Sequence, residues 1–403
     1  MIDLTARTND LALENRDSAE AMLVILGAGA SYDCLPSTIL DNTNVFSPFH
    51  FGLTVKDIRP PFTQELAEEG QLTNWFTNRW ELARPVVSRL RDTLNSKTIT
   101  SGSEKVQTLE SALREYEAGA LQDPARRSSL LAFSFYLRDL FNACTDRVDQ
   151  VGGGVTNHVR LIDRVREWGT RKPNRTVTFV SFNYDLILEN AMSSHIFSFN
   201  PLELQDYLKD PHTRLLKPHG SACWYWWDGS PPTNHLEQLL SPPPVLPRSV
   251  SLENSARNAI RLALEHGIET SQIFPQQFGY MGSGDTISAN LIPALALPMD
   301  GKNEFVWPSE QSEAFNQLEG RVTHLMTIGW RALESHFVPL LGPLASPSSK
   351  VLVVAKDDDQ ETSNISQRLM AAITSTEMSQ WRTYGQGFTG LLESSEELKW
   401  FLV

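Results

Sequence analysis

Three short stretches of this chain combine residue types that can do chemistry. Gly27-Ala28-Gly29-Ala30-Ser31 follows the apolar run Met22–Leu26. A glycine there lacks the Cβ that would hold backbone N–H groups away from a phosphate, and the start of a following helix favours an anion. Ser181-Phe182-Asn183-Tyr184-Asp185 sets a carboxamide and a carboxylate two residues apart, so on an extended segment both face one side. Lys217-Pro218-His219-Gly220-Ser221 holds an imidazole between a proline and a glycine, a setting that defines a loop path and suits a core side chain poorly. An unshifted imidazole, with a pKa of about 6.5, exchanges protons near neutral pH. A phosphate-compatible turn, an amide, a carboxylate and a proton carrier together point to an enzyme that consumes a nucleotide.

Taken singly, each stretch has a plainer reading. Many strand-to-helix turns use glycine without binding anything, Asn183 could cap a turn, and His219 could be a surface or structural histidine. A dinucleotide dehydrogenase is disfavoured, because its fingerprint wants a third glycine where Tyr32 stands, and Asp41 comes too early for the acidic ribose partner.

The elements that must position these residues are legible as apolar runs. Met22–Leu26, Val177–Ser181 and Lys350–Ala355, with a weaker relative at His324–Gly329, have the continuous character of parallel strands buried on both faces. They predict an α/β protein with a Rossmann-like, doubly wound parallel sheet. About 150 residues separate the first two runs, far more than a crossover of a dozen or so requires, so a large inserted module is expected. Within it Leu109, Leu113 and Tyr116, then Leu130, Phe133, Leu137, Leu140 and Phe141, recur at helical spacing. Val155–Trp168 reads as a further helix returning to the sheet. The organisation expected is therefore 1–58 as the start of the Rossmann-like domain, 59–175 as a helical insertion, 176–360 as the remainder, and 361–403 as a C-terminal helical segment. The simplest role for the insertion is a bundle that packs on the sheet and makes oligomer contacts. The prolines between 228 and 250 predict a loop. Asp357-Asp358-Asp359 follows a strand and so falls at the sheet's carboxyl edge.

Bulk composition narrows the function classes. With 48 acidic against 35 basic residues and a net charge of -13, an extended nucleic-acid surface is not expected, because phosphate neutralisation needs clustered cations. The three cysteines, Cys34, Cys144 and Cys223, form no CxxC pair and cannot build a four-thiolate zinc site or a disulfide framework. The first twenty residues lack the pattern of a signal peptide, and no apolar run approaches the roughly 20 residues that span a bilayer. A soluble protein with reduced thiols in a cytoplasm, and no membrane partner, is the expectation.

The order of the Gly-Ala-Gly-x-Ser turn, Asn-x-Asp and His-Gly resembles the sirtuin-like family. Pro293-Ala294-Leu295-Ala296-Leu297-Pro298 is similar to that family's proline-containing strand, and Thr327-Ile328-Gly329-Trp330 to its second glycine turn. The chain departs from protein-deacylating sirtuins in two ways. Trp224-Tyr225-Trp226-Trp227 stands where their zinc module would begin, and Cys34-Leu35-Pro36-Ser37 replaces their Asp-Phe-Arg. With its long insertion, including Ile58-Arg59-Pro60-Pro61-Phe62-Thr63, it looks more like the sirtuin-like NAD hydrolases of bacterial anti-phage defence, most of all the subunit that pairs with a HerA-type ATPase. The resemblance implies a sirtuin domain without zinc, NAD as substrate and no metal, with cleavage to nicotinamide and ADP-ribose. By the same resemblance, Asn183 would orient the ribose hydroxyls and the attacking water, His219 would be the general base, and Asp185 would hold the nicotinamide side. Gly27, Ala28, Gly29, Ala30 and Ser31 would receive the pyrophosphate, with Gly220 and Ser221 also against the nucleotide. Gly329 and Trp330 would lie near the adenosine half. Arg59 is a phosphate partner or a salt bridge. A homo-oligomer, a HerA-type partner, a bacterial cytoplasm and abortive infection by NAD depletion are implied likewise. Zinc-free ADP-ribosyl transfer or deacylation, a non-catalytic nucleotide-binding regulatory subunit, and an oligomerising scaffold remain as alternatives.

Overall fold

The computed structural model describes residues 20–39, 59–61, 65–66, 70–96, 102–196, 199–227, 252–276, 291–297, 305–356, 359–374 and 376–403. The proline-rich 228–250 stretch lies outside them, as do Asp41, Ile58, Asp357 and Asp358.

Six parallel strands form the main sheet: β1 (Glu20–Leu26), β2 (Arg175–Ser181), β3 (Thr213–Leu216), β7 (Val322–Ile328), β8 (Ala345–Val354) and β9 (Trp381–Tyr384), in the order β3-β2-β1-β7-β8-β9. On β1, Met22, Val24 and Leu26 enter one apolar cluster, while Ala21, Leu23 and Ile25 enter another. Both faces are covered, which is why the strand shows no polar alternation. The chain runs outward from β1 to β3 and then crosses back to β7. This Rossmann-like order puts the reversal between β1 and β7, and a crevice opens there beyond the carboxyl ends. Leu26 stands opposite both Ser181 and Ile328, so the segments that follow these three strands emerge side by side.

Along the chain, β1 turns at Gly27 into the five-residue α1 (Ala28–Tyr32). Helices α2 (Gln71–Arg79), α3 (Arg84–Ser96), α4 (Gly102–Ala120) and α5 (Pro124–Gly152) make up the insertion. The longest, α5, is stopped at both ends by local chemistry. The Asp123 carboxylate accepts from the backbone N–H groups of Ala125 and Arg126, Pro124 occupies the first turn, and Gly153 ends the helix at φ 56°. Helices α6 (Asn157–Thr170) and α7 (Ile187–His195) cover one face of the sheet through Leu161, Val165, Trp168 and Leu188. Thus α6 belongs to the sheet layer rather than to the insertion, whose expected range ran to 175. A second, three-stranded antiparallel sheet places β4 (Gly220–Trp227) between β5 (Glu269–Pro275) and β6 (Leu291–Leu295). Together with α8 (Leu252–His266), β6 shares the insertion's core, where Ile260 and Ile292 meet Trp80, Leu113, Phe133 and Leu137.

On the opposite face of the main sheet, Phe315 of α9 (Ser309–Asn316) and Ile365 and Leu369 of α10 (Asp359–Ala372) close the core. The last helices, α11 (Gly387–Ser394) and α12 (Glu396–Leu402), return to the first face through Leu391 and Phe401. The C-terminal segment is therefore not purely helical, because β9 supplies the sheet's edge. The four residues of β9 are partly or fully exposed and carry none of the apolar continuity that marks β1 or β8. Asp33, just past α1, accepts from the N–H groups of Phe388 (2.9 Å) and Thr389 (3.1 Å). It caps α11 and ties the C-terminal helices to the glycine turn. No helix among the described residues is long and apolar enough to cross a membrane.

Two buried histidines make stability depend on pH. His158 of α6, edge-on to Phe388, has its pKa pushed down to about 3, first by burial and then by Lys217. His324 of β7, between Trp168 and Phe401, is pushed down to about 4 by burial and by Lys350 and Arg175. Both remain neutral in the fold, while in the unfolded chain they take up protons at a pKa of about 6.5. Their stabilising contribution is complete above pH 6.5 and falls as the pH drops towards 4. Each proton taken up only by the unfolded chain removes about 1.4 kcal/mol per pH unit. Urea denaturation at pH 7, 6 and 5 should therefore show a loss between pH 6 and 5 that is smaller by about 1 kcal/mol in a His324→Gln protein. Equal losses in the two proteins would exclude this account.

Candidate active site at the switch point

Four segments leave the carboxyl ends of β1, β2, β3 and β7 and meet in the crevice. After β1, Gly27 and Gly29 pack against the turn that follows β7. A Cβ on Gly27 would lie 2.6 Å from the Gly329 carbonyl oxygen, and one on Gly29 would lie 2.7 Å from the Gly329 Cα. Two hydrogen bonds weld the turns, from Gly27 N to Ile328 O (3.1 Å) and from Gly29 N to Gly329 O (3.0 Å). The Ala30 N–H is also used internally, on Gly27 O at 2.9 Å. Two of the N–H groups expected to face a phosphate, those of Gly29 and Ala30, are therefore engaged by the protein itself. The five residues of α1 also give only a small dipole. Ala28 is the exposed residue of this turn, Gly29 is half-buried, and Ser31 is buried.

After β2 the chain is held open by its side chains. The Asn183 carboxamide, 8% exposed, donates from Nδ2 to Gly27 O (2.9 Å) and to Ser31 Oγ (2.8 Å). A carbonyl can only accept, so the amide's orientation is fixed, both N–H groups are used, and Oδ1 is left as an acceptor for a ligand. Asp185 is buried; its Oδ1 accepts from Ile187 N at the start of α7 (3.2 Å), and the Ser31 hydroxyl also bonds it. Burial pushes the Asp185 carboxyl up, and the Lys217 ammonium, with the Ser31 bond, works against that shift. Amide and carboxylate thus meet on one hydroxyl.

After β3, His219 sits in a turn closed by Gly220 N on Lys217 O (3.0 Å) and anchored by Ala296 N on His219 O (3.0 Å). Its ring is half-buried between the side chains that flank Asn183, edge-on to Phe182 at 4.8 Å and nearly parallel to Tyr184 at 6.2 Å. The imidazole therefore packs against the two residues that flank Asn183 on the segment after β2. Gly220 has φ 81°, and a Cβ there would lie 2.0 Å from Ala294 O. Ser221 is fully buried and bonded to Glu189, so it stands behind the turn rather than on the crevice wall.

After β7, Gly329 adopts φ 59°. The Trp330 side chain is 2% exposed, stacks on Phe182 at 5.4 Å and donates from Nε1 to Glu334 at 2.6 Å. Its indole is committed to the core. Arg59 stacks over the Tyr32 ring beside the glycine turn and pairs with Glu65 at 3.7 Å. Among the described residues, no group of three or more His, Cys, Asp and Glu is placed to hold a metal ion.

Two partners of this site were not foreseen. Lys217 and Glu189 are both fully buried and lie 2.8 Å apart beneath His219. The sequence did carry a signal, since Lys217 ends the apolar run Leu215-Leu216 and Glu189 interrupts the apolar face of Ile187, Leu188, Ala191 and Met192. A charge in such a setting needs a partner.

No family model and no curated protein matches the chain. Among solved structures, one described as a complex of a Sir2 homolog with NAD aligns over 97% of this chain and 93% of its own, at 10% identity and a TM-score of 0.38. Another, described under the mechanism and regulation of Sir2 enzymes, aligns over 97% and 94% at 10% identity and a TM-score of 0.33. Likeness at that level carries no activity with it.

Proposed function

We propose that this protein is a sirtuin-like NAD glycohydrolase. The reading is carried by Asn183, whose amide is locked by Gly27 O and Ser31 Oγ with its acceptor oxygen left for a ligand, on a segment whose Phe182 packs against His219. In the reaction, a water oxygen bonds to C1′ of the nicotinamide-side ribose, the bond from C1′ to the pyridinium nitrogen breaks, and its electron pair leaves with nicotinamide. Asn183 Oδ1 accepts a hydrogen bond from the water or a ribose hydroxyl, and His219 takes the water's proton. The products are nicotinamide, ADP-ribose and one proton. The carboxylate of Asp185, with Lys217 beside it, adds negative potential where the ribose becomes oxocarbenium-like. The exposed edge of the glycine turn at Ala28 takes the pyrophosphate.

The biological role that suits such chemistry is depletion of NAD during anti-phage defence. An unchecked hydrolase would drain an essential cofactor, so the enzyme works in the bacterial cytoplasm as a homo-oligomer gated by a HerA-type ATPase. Incubating the protein with NAD, alone and with that ATPase, should release nicotinamide and ADP-ribose in equal amounts, faster in the complex. Absence of nicotinamide in both mixtures overturns the reading. ADP-ribose found on a protein acceptor instead of in solution makes the enzyme a transferase.

A further inference from the structure

We propose that Glu189 is the positioning residue that sets His219 against the Asn183 segment, an inference that rests on reading His219 as the base. One oxygen, Glu189 Oε1, accepts from Lys217 Nζ at 2.8 Å and from Ser221 Oγ at 2.7 Å. These two donors stand two residues before and two residues after His219, so a single carboxylate holds both ends of its turn. The same ammonium donates to the backbone carbonyl of Asp185 at 3.0 Å. Asp185 Oδ1 in turn accepts from the N–H of Ile187, the first residue of α7, the helix that carries Glu189. The Lys217 N–H is fixed from the other side by Gln311 Oε1 at 2.9 Å. The turn and the catalytic segment are thereby joined through charged groups with no exposure to solvent.

Stability alone does not account for such an arrangement. Replacing a buried ion pair by well-packed neutral residues is often neutral or stabilising, whereas removing one member strands a charge. What the pair supplies is geometry. The polypeptide between Lys217 and Ser221 holds a proline, the histidine and a glycine at φ 81°, and the depth of the imidazole between Phe182 and Tyr184 follows from where its two ends are tied. A displacement of about 1 Å at a reacting group can lower a rate by about 100-fold.

The test uses the double variant Lys217→Met/Glu189→Gln, which removes both charges together and leaves neither stranded. The Hε1 proton of His219, assigned by its loss in His219→Gln, carries a ring-current displacement from Phe182 and Tyr184 in the wild-type protein. In the folded double variant that displacement should fall by at least about half, and kcat for NAD cleavage should drop roughly 10- to 100-fold with KM within about twofold. A folded double variant with the wild-type displacement overturns the inference. If the double variant does not fold, Ser221→Ala removes one of the two ties and should give a smaller loss of the same displacement, and an unchanged resonance there overturns the inference as well. The NMR readout needs no NAD, so a wild-type protein that fails to cleave NAD while the displacement behaves as expected condemns the glycohydrolase reading and not the positioning role.

Discussion

Asn183→Ala should reduce nicotinamide release by about 100- to 1000-fold while leaving the protein folded. The magnitude is that of losing one preorganised hydrogen-bonding group from a site where charge develops in the transition state. The structural penalty is separable. Alanine removes the hydrogen bonds to Gly27 O and Ser31 Oγ, each worth about 1 kcal/mol net, which lies within the stability margin of a domain. Ser31→Ala is the control, since it removes the second of those bonds, together with the Ser31 bond to Asp185, and keeps the carboxamide. If the loss in Asn183→Ala came from a loosened turn, Ser31→Ala would share most of it. If it came from the missing acceptor, Ser31→Ala would keep most of the rate. Initial rates of nicotinamide release, beside thermal melts of both variants, decide between them. A wild-type rate in Asn183→Ala would remove Asn183 from the mechanism.

Gly329→Ala should cost above about 3 kcal/mol of stability, large enough to threaten folding. At φ 59° an L-residue costs roughly 1–2 kcal/mol, and the new Cβ would stand 2.4 Å from both Ala30 N and Gly29 C. These are backbone atoms of the facing turn, so no rotamer change relieves the overlap. Moving them apart breaks the Gly29 to Gly329 hydrogen bond that closes the crevice floor. Gly267→Ala separates the two contributions, because Gly267 has φ 89° and an added methyl there would meet nothing within 4 Å, leaving only the conformational cost of about 1 kcal/mol. Urea midpoints for the two variants measure the difference. A Gly329→Ala protein as stable as Gly267→Ala would mean that the glycine turns do not interlock.

The sequence by itself determined the central strands and which chemistry-bearing residue types stand at their ends. β1, β2, β7 and β8 are legible because strands covered on both faces lose polar alternation, and Leu109, Leu113, Phe133 and Leu137 are legible because one buried helical face repeats every three to four residues. Residue types at Gly27, Asn183, Asp185 and His219 were legible for the same local reason, that each is unusual where it stands. Tertiary structure decided the rest. The short strands β3 and β9 and the small antiparallel sheet carry no period of their own. Glycine proximity to a phosphate could not be told from glycine proximity to another glycine until Gly329 was seen against Gly29. The indole of Trp330 went to the core, and the acceptor of Asn183 was fixed only by the carbonyl of Gly27. The pairing of Glu189 with Lys217 and Ser221 likewise depends on three segments brought together. Periodicity records how one segment divides its faces between core and solvent, whereas the partner of a buried polar atom is set by which distant segment the packing delivers to it.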